Sequence, residues 1–402
     1  MKNILFDLTS TQPIRNSKFH GGGDYAEVVF NKIIYSYNKD NINLYAAYDS
    51  SRYINADLIE KAKSLAVTLI DTKVVNPTEI LQKYKIDRFY SPLIQQSLGW
   101  NLDFCETVVT IHGLRQIEMP ANSIELRYCS KKKQKFNIIK KLIKQSLFKG
   151  KEIKKIVSNS SINNLIRPNI KIITVSNHSK FSILSFYPQI NEENIKVCYS
   201  PSFNQLENNS IKSTEFLKIK EKINIEEKKY FLVTNAERWI KNAIRSVQAF
   251  DLILDDKKFC GYKLVLTGVI NKKIFEKEIK HKENFVLLNY IERDELESLF
   301  ENSYAFIYPS LNEGFGYPPI SAMKYGVPVI ASGTSSIPEV CGNAAIYFDP
   351  YSIYEIKNRI LQLSDKEIYR NYSEKGIERF PYISEIQKKD LQKLSQIILQ
   401  QE

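Results

Sequence analysis

The feature that most constrains the fold of this chain is a regular alternation between short apolar runs and longer segments with helical periodicity. Such alternation is typical of parallel sheets that carry helices on both faces. A polar stretch at residues 204–229 interrupts it and predicts a linker followed by a surface helix. We therefore expect two successive doubly wound α/β domains, residues 1–203 and 204–383. The predicted strands are residues 4–8, 42–47, 66–70, 87–90, 107–111, 171–175, 195–199, 230–234, 263–267, 285–288, 304–308, 328–331 and 344–348.

Composition excludes several classes of protein. Of the 402 residues, 43% are hydrophobic and 25% are charged, as in a globular protein with a full core. No uncharged apolar run approaches the roughly 18 residues that a membrane-spanning helix requires, and the apolar start of the chain is too short for a signal peptide. The five cysteines form no C-x-x-C pair, which argues against a zinc site and a disulfide framework. A cytoplasmic protein is expected.

The net charge of +12 is concentrated in residues 127–155, here called the basic segment, which contain twelve basic side chains and one acid. Within it an apolar stripe at helical spacing is flanked by lysines, a pattern typical of a membrane-surface or partner-binding helix. Alternatively, the stripe packs on its own domain. Nucleic acid is not expected, because interleaved aromatic residues and a known reader motif are missing. The stripe consists of Phe136, Ile139, Leu142, Ile143 and Leu147.

Ligands of open parallel sheets bind beyond the carboxyl ends of the strands, so the loops there are the candidate sites. Gly21, Gly22 and Gly23 form a loop before a predicted helix, where glycines let backbone approach an anion closely. The same run is also compatible with an ordinary flexible turn. His112 directly follows the strand at 107–111 and either binds a ligand hydroxyl or only caps the sheet edge.

The second domain offers two further loops. Arg238 and Lys241 follow its first strand and are either a diphosphate clamp or solvated loop charges. The most informative segment is 309–332, which reads as strand, loop, short helix and buried strand. Its loop has one acid, Glu313, followed by Gly314, Phe315 and Gly316, so the backbone can approach a ligand whose hydroxyls the carboxylate accepts.

This segment, with its continuation at 333–340, closely resembles the donor-site signature of glycosyltransferase family 4. The resemblance covers nearly the whole second domain and is weaker in the first, where the glycine run and the Val-Thr-Ile-His-Gly run carry it. It implies the GT-B fold, in which two Rossmann-like domains face each other. Residues 384–402 resemble the final helix of that family, which crosses back to pack on the first domain.

The resemblance also implies roles for the candidate residues. Glu313 would hold a hydroxyl of the donor sugar, with Gly314 to Gly316 beside the diphosphate. Arg238 and Lys241 would neutralise the departing nucleoside diphosphate, although the commoner family spacing between these two cations is five residues rather than three. His112 would face the donor sugar, and the loop of Gly21 to Gly23 would close over the phosphates.

One position departs from the family pattern. The second glutamate of the signature, which normally holds the nucleotide ribose, is replaced here by Ser321. A serine is shorter, so it is expected to reach the ribose only through water. We expect altered ribose recognition without loss of catalysis.

The resemblance implies a retaining, metal-independent hexosyltransferase that uses a nucleotide-diphosphate sugar and needs no cofactor. A glycan or lipid-linked acceptor is expected, and the residue usage suggests bacterial surface polysaccharide or lipopolysaccharide synthesis. The basic segment would place the enzyme on the anionic cytoplasmic face of the inner membrane. The alternative is a non-catalytic protein that binds nucleotide sugars or polyanions. The sequence leaves open the base, the sugar, the acceptor, the linkage and the oligomeric state.

Overall fold

The computed structural model describes residues 1–13, 21–93, 99–202, 213–256 and 259–400. The chain forms two compact units. The first unit comprises Met1–Leu114, Lys155–Asn208 and Ser384–Glu402, and the second comprises Arg115–Lys154 and Asn209–Ile383. The strands are β1 (Lys2–Asp7), β2 (Ile42–Tyr48), β3 (Thr68–Asp71), β4 (Arg88–Ser91), β5 (Glu106–Ile111), β6 (Ile170–Thr174), β7 (Ile195–Val197), β8 (Tyr230–Val233), β9 (Lys263–Leu266), β10 (Phe285–Leu287), β11 (Ala305–Tyr308), β12 (Val329–Ser332) and β13 (Ala345–Phe348).

The helices alternate with these strands, as the sequence predicts. They are α1 (Gly21–Ser36), α2 (Ala56–Ser64), α3 (Pro77–Lys83), α4 (Arg115–Glu118), α5 (Glu125–Tyr128), α6 (Lys132–Ser158), α7 (Asn177–Phe186), α8 (Ser213–Ile223), α9 (Ala243–Ile253), α10 (Lys273–Glu276), α11 (Arg293–Asn302), α12 (Tyr317–Lys324), α13 (Ile337–Cys341), α14 (Ile353–Gln362) and α15 (Lys366–Leu399). Among the residues that the structure describes, no helix is both long and apolar enough to span a bilayer.

The first unit is built on a parallel sheet of seven strands in the order β3-β2-β1-β4-β5-β6-β7. Ile4 of β1 pairs with Leu44 of β2 on one side and with Arg88 of β4 on the other. Strand order therefore reverses between β1 and β4, which makes this edge the switch point where ligands bind in such folds. All seven predicted strands are present.

The second unit has a parallel sheet of six strands in the order β10-β9-β8-β11-β12-β13. Every residue of β8, β11 and β12 is buried. Strands covered on both faces are expected to be continuously apolar, which is why these three strands are recognisable in the sequence. The order reverses between β8 and β11, so the loops after these two strands flank the switch point.

The structure divides the chain differently from the expected boundary at residue 203. Residues 115–154 cluster with the second unit, although they precede β6 of the first. The reason is packing: Ile124 lies in the hydrophobic core of the second unit, and the Tyr128 hydroxyl accepts a hydrogen bond from the Ile244 backbone N–H at 3.2 Å. The Tyr128 ring also meets Phe275 edge to face at 6.1 Å.

The C-terminal helix is longer than predicted. A tail helix was expected from residue 384, whereas α15 is continuous over 34 residues and contains Pro381. From Ser384 onward the chain clusters with the first unit. There Gln387 donates to the Ser200 carbonyl at 2.6 Å, and Asp390 accepts the Tyr199 N–H at 2.7 Å. The predicted packing of the tail on the first unit is confirmed.

Candidate functional site

The loop after β11 places Glu313 at the switch point of the second sheet. The Leu311 N–H donates to the Ile240 carbonyl at 2.9 Å, which ties this loop to the one after β8. Ser335 accepts the Glu313 N–H at 2.9 Å. Ser336 donates to the Glu313 carbonyl at 3.0 Å. The peptide groups on both sides of the carboxylate are therefore fixed by the two serines that precede α13.

The two glycines after Glu313 lead directly into α12. Gly316 caps that helix with φ at +106°, a backbone conformation that only glycine adopts without strain. Pro318 and Pro319 occupy its first turn, where a missing N–H does no harm. Ser321 lies on the same helix and is half-buried, and its hydroxyl has no hydrogen-bond partner in the part of the chain that the structure describes.

Glu313 is paired with Lys241, from the loop after β8. Lys241 Nζ lies 2.5 Å from Glu313 Oε1, and the side chains are only 9% and 16% exposed. Lys241 Nζ also donates to the Tyr308 hydroxyl at 3.1 Å. The Ser310 hydroxyl donates to the same Glu313 Oε1. The carboxylate is thus oriented by three side chains, two from its own loop and strand and one from the loop after β8.

Electrostatics keep this carboxylate ionised. Burial acts to raise the pKa of Glu313, but the Lys241 charge and hydrogen bonds from Lys241, Ser310 and Tyr308 outweigh it and hold the pKa below its usual value. The pKa of Lys241 is lowered, first by burial and then by nearby cations, against the opposing attraction of Glu313. The Glu313 carboxylate is therefore ionised at neutral pH.

Two arginines bring further positive charge to the pair. Arg238 immediately precedes the 3-10 turn Trp239–Lys241, and its exposed side chain has no hydrogen bond or ion pair within the described ranges. Arg115 lies on α4, whose Glu118 accepts a hydrogen bond from Asn312 at 2.7 Å. Both arginines act electrostatically on Lys241, and burial followed by the Arg238 charge lowers the pKa of Arg115. The Lys241–Glu313 pair thus lies in the electrostatic field of two further cations.

Sequence reasoning missed Arg115 and Asn242. Arg115 follows the His-Gly pair closely, so its position in the chain was the only available signal. Asn242 has φ at +57° at the start of α9. Its amide donates to the carbonyls of Pro309 at 3.1 Å and Pro350 at 2.8 Å. It therefore joins the loop after β8 to those after β11 and β13.

His112 lies in the first unit, directly after β5. Its Nε2 is 3.0 Å from the Pro92 carbonyl, and its ring meets Tyr25 edge to face at 4.6 Å. Burial lowers the pKa of His112 to about 4, against the opposing effect of the Pro92 hydrogen bond. The ring is therefore neutral at pH 7, so that Nε2 donates to Pro92 and Nδ1 is left as an acceptor.

The glycine run differs from expectation. Gly21, Gly22 and Gly23 form the first turn of α1 rather than a loop before it. A Cβ on Gly22 would lie 2.7 Å from Leu93 Cδ2, so the absence of a side chain lets α1 approach the segment after β4. Residues 14–20 lie outside the described residues.

The predicted site residues therefore fall into two groups. Lys241 and Glu313 are in contact at the switch point of the second unit, and Arg238, Ser321 and the glycines around Phe315 belong to the same unit. His112 and the glycine run lie at strand ends of the first unit. Within the described residues, no group of three or more His, Cys, Asp or Glu side chains is placed to hold a metal ion.

Comparison with known proteins gives one family match and several similar structures. Residues 215–379 match the family described as "Glycosyl transferases group 1". The O-antigen chain mannosyltransferase RfbU of Salmonella typhimurium is 33% identical over 186 residues, which cover 44% of this chain and 46% of that protein. The chain thus spans about half the length of this relative.

The solved structures are similar over nearly the whole chain. Anabaena HepE in complex with UDP-glucose has a TM-score of 0.64 at 14% identity and covers 98% of this chain and 100% of its own. WaaG, described as a glycosyltransferase involved in lipopolysaccharide biosynthesis, has a TM-score of 0.62 at 13% identity, covering 98% and 99%. These likenesses concern the fold alone, and they confirm the predicted GT-B class.

Proposed function

We propose that this chain, whose residues 215–379 match the family described as "Glycosyl transferases group 1", is a retaining, metal-independent glycosyltransferase of the hexosyl type. The observation that carries the proposal is the buried Lys241–Glu313 pair at the switch point of the second sheet, with Arg238 and Arg115 beside it. Retention rests on the likeness of residues 309–340 to the family 4 signature. The non-catalytic alternative has no support in the site, since every charged member of it is present.

The donor is a nucleotide-diphosphate sugar. Negative charge grows on the diphosphate as the bond to the anomeric carbon breaks. Fixed cations aimed at that charge are the main catalytic device, because they need no reorganisation during the reaction. Arg238, Arg115 and the positive end of α12 supply this field, and the Anabaena protein seen with UDP-glucose has the same fold.

Glu313 holds the sugar. Lys241 and Ser310 both bind Oε1, so neither of them occupies Oε2. An ionised carboxylate accepts hydroxyl hydrogen bonds strongly, and the low pKa of Glu313 keeps it in that state at neutral pH. Ser321 lies on α12, where it reaches the nucleotide ribose through water. His112, which is neutral, offers Nδ1 to a sugar hydroxyl.

The acceptor is a glycan or lipid-linked oligosaccharide of bacterial surface polysaccharide or lipopolysaccharide synthesis. Two similar proteins support this: one is named an O-antigen chain mannosyltransferase, and the other is described as acting in lipopolysaccharide biosynthesis. The enzyme works as a peripheral protein on the anionic cytoplasmic face of the inner membrane, contacting it through the basic segment.

A panel of UDP-, GDP- and dTDP-linked hexoses, assayed for nucleoside diphosphate release with extracted lipid-linked acceptors, tests the proposal. Glu313→Gln should abolish most turnover, and Arg115→Ala should weaken inhibition by inorganic pyrophosphate. Arg370→Ala changes an exposed arginine of the same unit and serves as the control. Binding of a nucleotide sugar without turnover would instead establish the non-catalytic alternative.

Two further measurements test the finer statements. The anomeric configuration of the product, compared with the donor by NMR, tests retention, and inversion would refute it. Activity after exhaustive treatment with a chelator tests metal independence, and recovery of activity only on adding a divalent cation would refute that.

A further inference from the structure

Helix α6 carries apolar side chains that face solvent. They are Phe136, Ile139, Ile143 and Leu147, which are 66%, 43%, 54% and 69% exposed. Residues three and four apart share one face of a helix, so these four form a continuous strip. Scattered exposed apolar residues are ordinary, but a contiguous strip marks an interaction surface. For these four residues, the alternative that the stripe packs on its own domain does not hold.

The helix is held by a different face. Ile138 is buried, and Leu142, Ile153 and Ile156 are half-buried. At about 100° per residue, Ile138 lies roughly 200° around the helix from Phe136. The packed face therefore holds α6 in place without the residues of the strip. The strip remains exposed for contact with another molecule.

Exposed lysines border the strip. Lys133, Lys140, Lys144 and Lys151 lie roughly 40–80° around the helix from Phe136, all on one side of it, and all four are exposed. Lys144 has an ion pair with Glu152 at 3.9 Å. The other three have no ion pair within the described ranges. Unneutralised lysines beside an apolar strip are complementary to a surface with negative charge above hydrocarbon.

We infer that α6 docks the protein on an anionic lipid bilayer, with the strip in the boundary between headgroups and acyl chains and the bordering lysines on lipid phosphates. A nucleic acid would use the lysines but would leave the strip in water. A folded protein partner would need acidic side chains opposite the lysines along the whole helix. The inference rests on the proposed function for its purpose, since a lipid-linked acceptor lies in the same bilayer.

Sedimentation of the full chain with vesicles tests the inference. Binding is expected to vesicles of phosphatidylcholine with phosphatidylglycerol, to weaken with salt, and to be absent from pure phosphatidylcholine. Ile143→Ser with Leu147→Ser should lower the partition coefficient by about tenfold or more. Lys140→Gln with Lys151→Gln should lower it by roughly 25-fold, at about fivefold for each lysine near a charged surface.

Matched controls use exposed residues elsewhere. Val74→Ser removes an exposed apolar side chain of the first unit, and Lys388→Gln with Lys389→Gln removes two exposed lysines of α15. Both controls should bind as the unchanged protein does. A Phe136→Trp variant adds a direct readout, because insertion shifts its fluorescence to the blue. The salt dependence of the unchanged protein keeps the test decisive even where a variant folds poorly.

Several results would overturn the inference: equal binding to both vesicle types, no binding, or a strip variant that binds normally. Competition by single-stranded RNA with no effect of the strip variant would assign α6 to nucleic acid instead. Vesicle binding is measured without donor or acceptor, so it is independent of turnover. Docking without transferase activity would refute the proposed transferase activity and leave this inference standing. Transfer without docking would refute this inference and the peripheral location, and would leave the transferase activity standing.

Discussion

Replacing Lys241 by methionine tests whether the buried Glu313 carboxylate needs the Lys241 cation for the second unit to keep its stability. Methionine keeps the apolar stem but removes the cation, leaving Glu313 buried without the partner that now lies 2.5 Å away. Removing one member of a buried pair costs about 3–5 kcal/mol. The Ser310 hydrogen bond and the charges of Arg115 and Arg238 remain, so we expect the lower end of that range for the second unit.

The cost should depend on pH in a defined direction. The folded-state pKa of Glu313 is below its usual 4.5, so its charge stabilises the fold above that pH and the contribution is lost as the pH falls through the folded value. Without Lys241, burial is opposed less and the pKa of Glu313 should rise. Protonation of Glu313 then removes the unpaired buried charge from the variant. The difference in free energy of unfolding between the variant and the unchanged protein should therefore shrink as the pH falls towards 4.5.

Urea denaturation followed by Trp239 fluorescence measures the effect. The chain has two tryptophans, so a Trp100→Phe background leaves a single probe in the second unit. Combining Lys241→Met with Glu313→Leu removes both charges and should recover about 2 kcal/mol of the summed losses, within the range for groups in contact. A loss below about 1 kcal/mol at pH 7, strictly additive variants, or a difference that ignores pH would refute the reasoning.

Further outcomes follow from the other site residues. Arg238→Ala should lower kcat by about 10²–10³ in a nucleoside diphosphate release assay, and a change under about threefold would contradict its role. Ser321→Glu should tighten nucleoside diphosphate binding about tenfold by calorimetry, through a direct hydrogen bond to the ribose, and an unchanged affinity would dismiss the idea. Because the folded pKa of His112 is about 4 and its unfolded value about 6.5, the neutral ring stabilises the first unit above pH 6.5, a gain lost as the pH falls towards 4. His112→Asn should flatten that dependence, read by Trp100 fluorescence in a Trp239→Phe background, and equal slopes would speak against it.

Much of the fold was predictable because burial leaves a direct trace in the sequence. Strands such as β8 and β11 are buried on both faces and read as unbroken apolar runs. The resemblance to family 4 assigns both Lys241 and Glu313 to the donor, and the structure places the two side chains in contact.

The rest depended on contacts that local patterns do not record. Arg115 joins the second unit because Ile124 and Tyr128 fill space in its core, a consequence of shape rather than periodicity. The sequence predicts a loop at the glycine run, because each glycine weakens a helix by up to about 1 kcal/mol. Packing of the many buried residues of α1 overrides that cost. The exposure of the strip on α6 could not be predicted, because the same spacing suits a packed face.

The discontinuous make-up of the second unit governs how the chain can be dissected. A fragment cut near residue 204 would lose Ile124 and Tyr128 from its core, and Arg115 with them. Such a fragment would expose apolar surface and aggregate, and any failure to bind a nucleotide sugar would be misread as evidence about the donor. Chimeras that exchange donor specificity with a relative should transplant residues 115–154 together with 209–383. A chimera with these boundaries would exchange donor specificity and keep the core of the second unit intact.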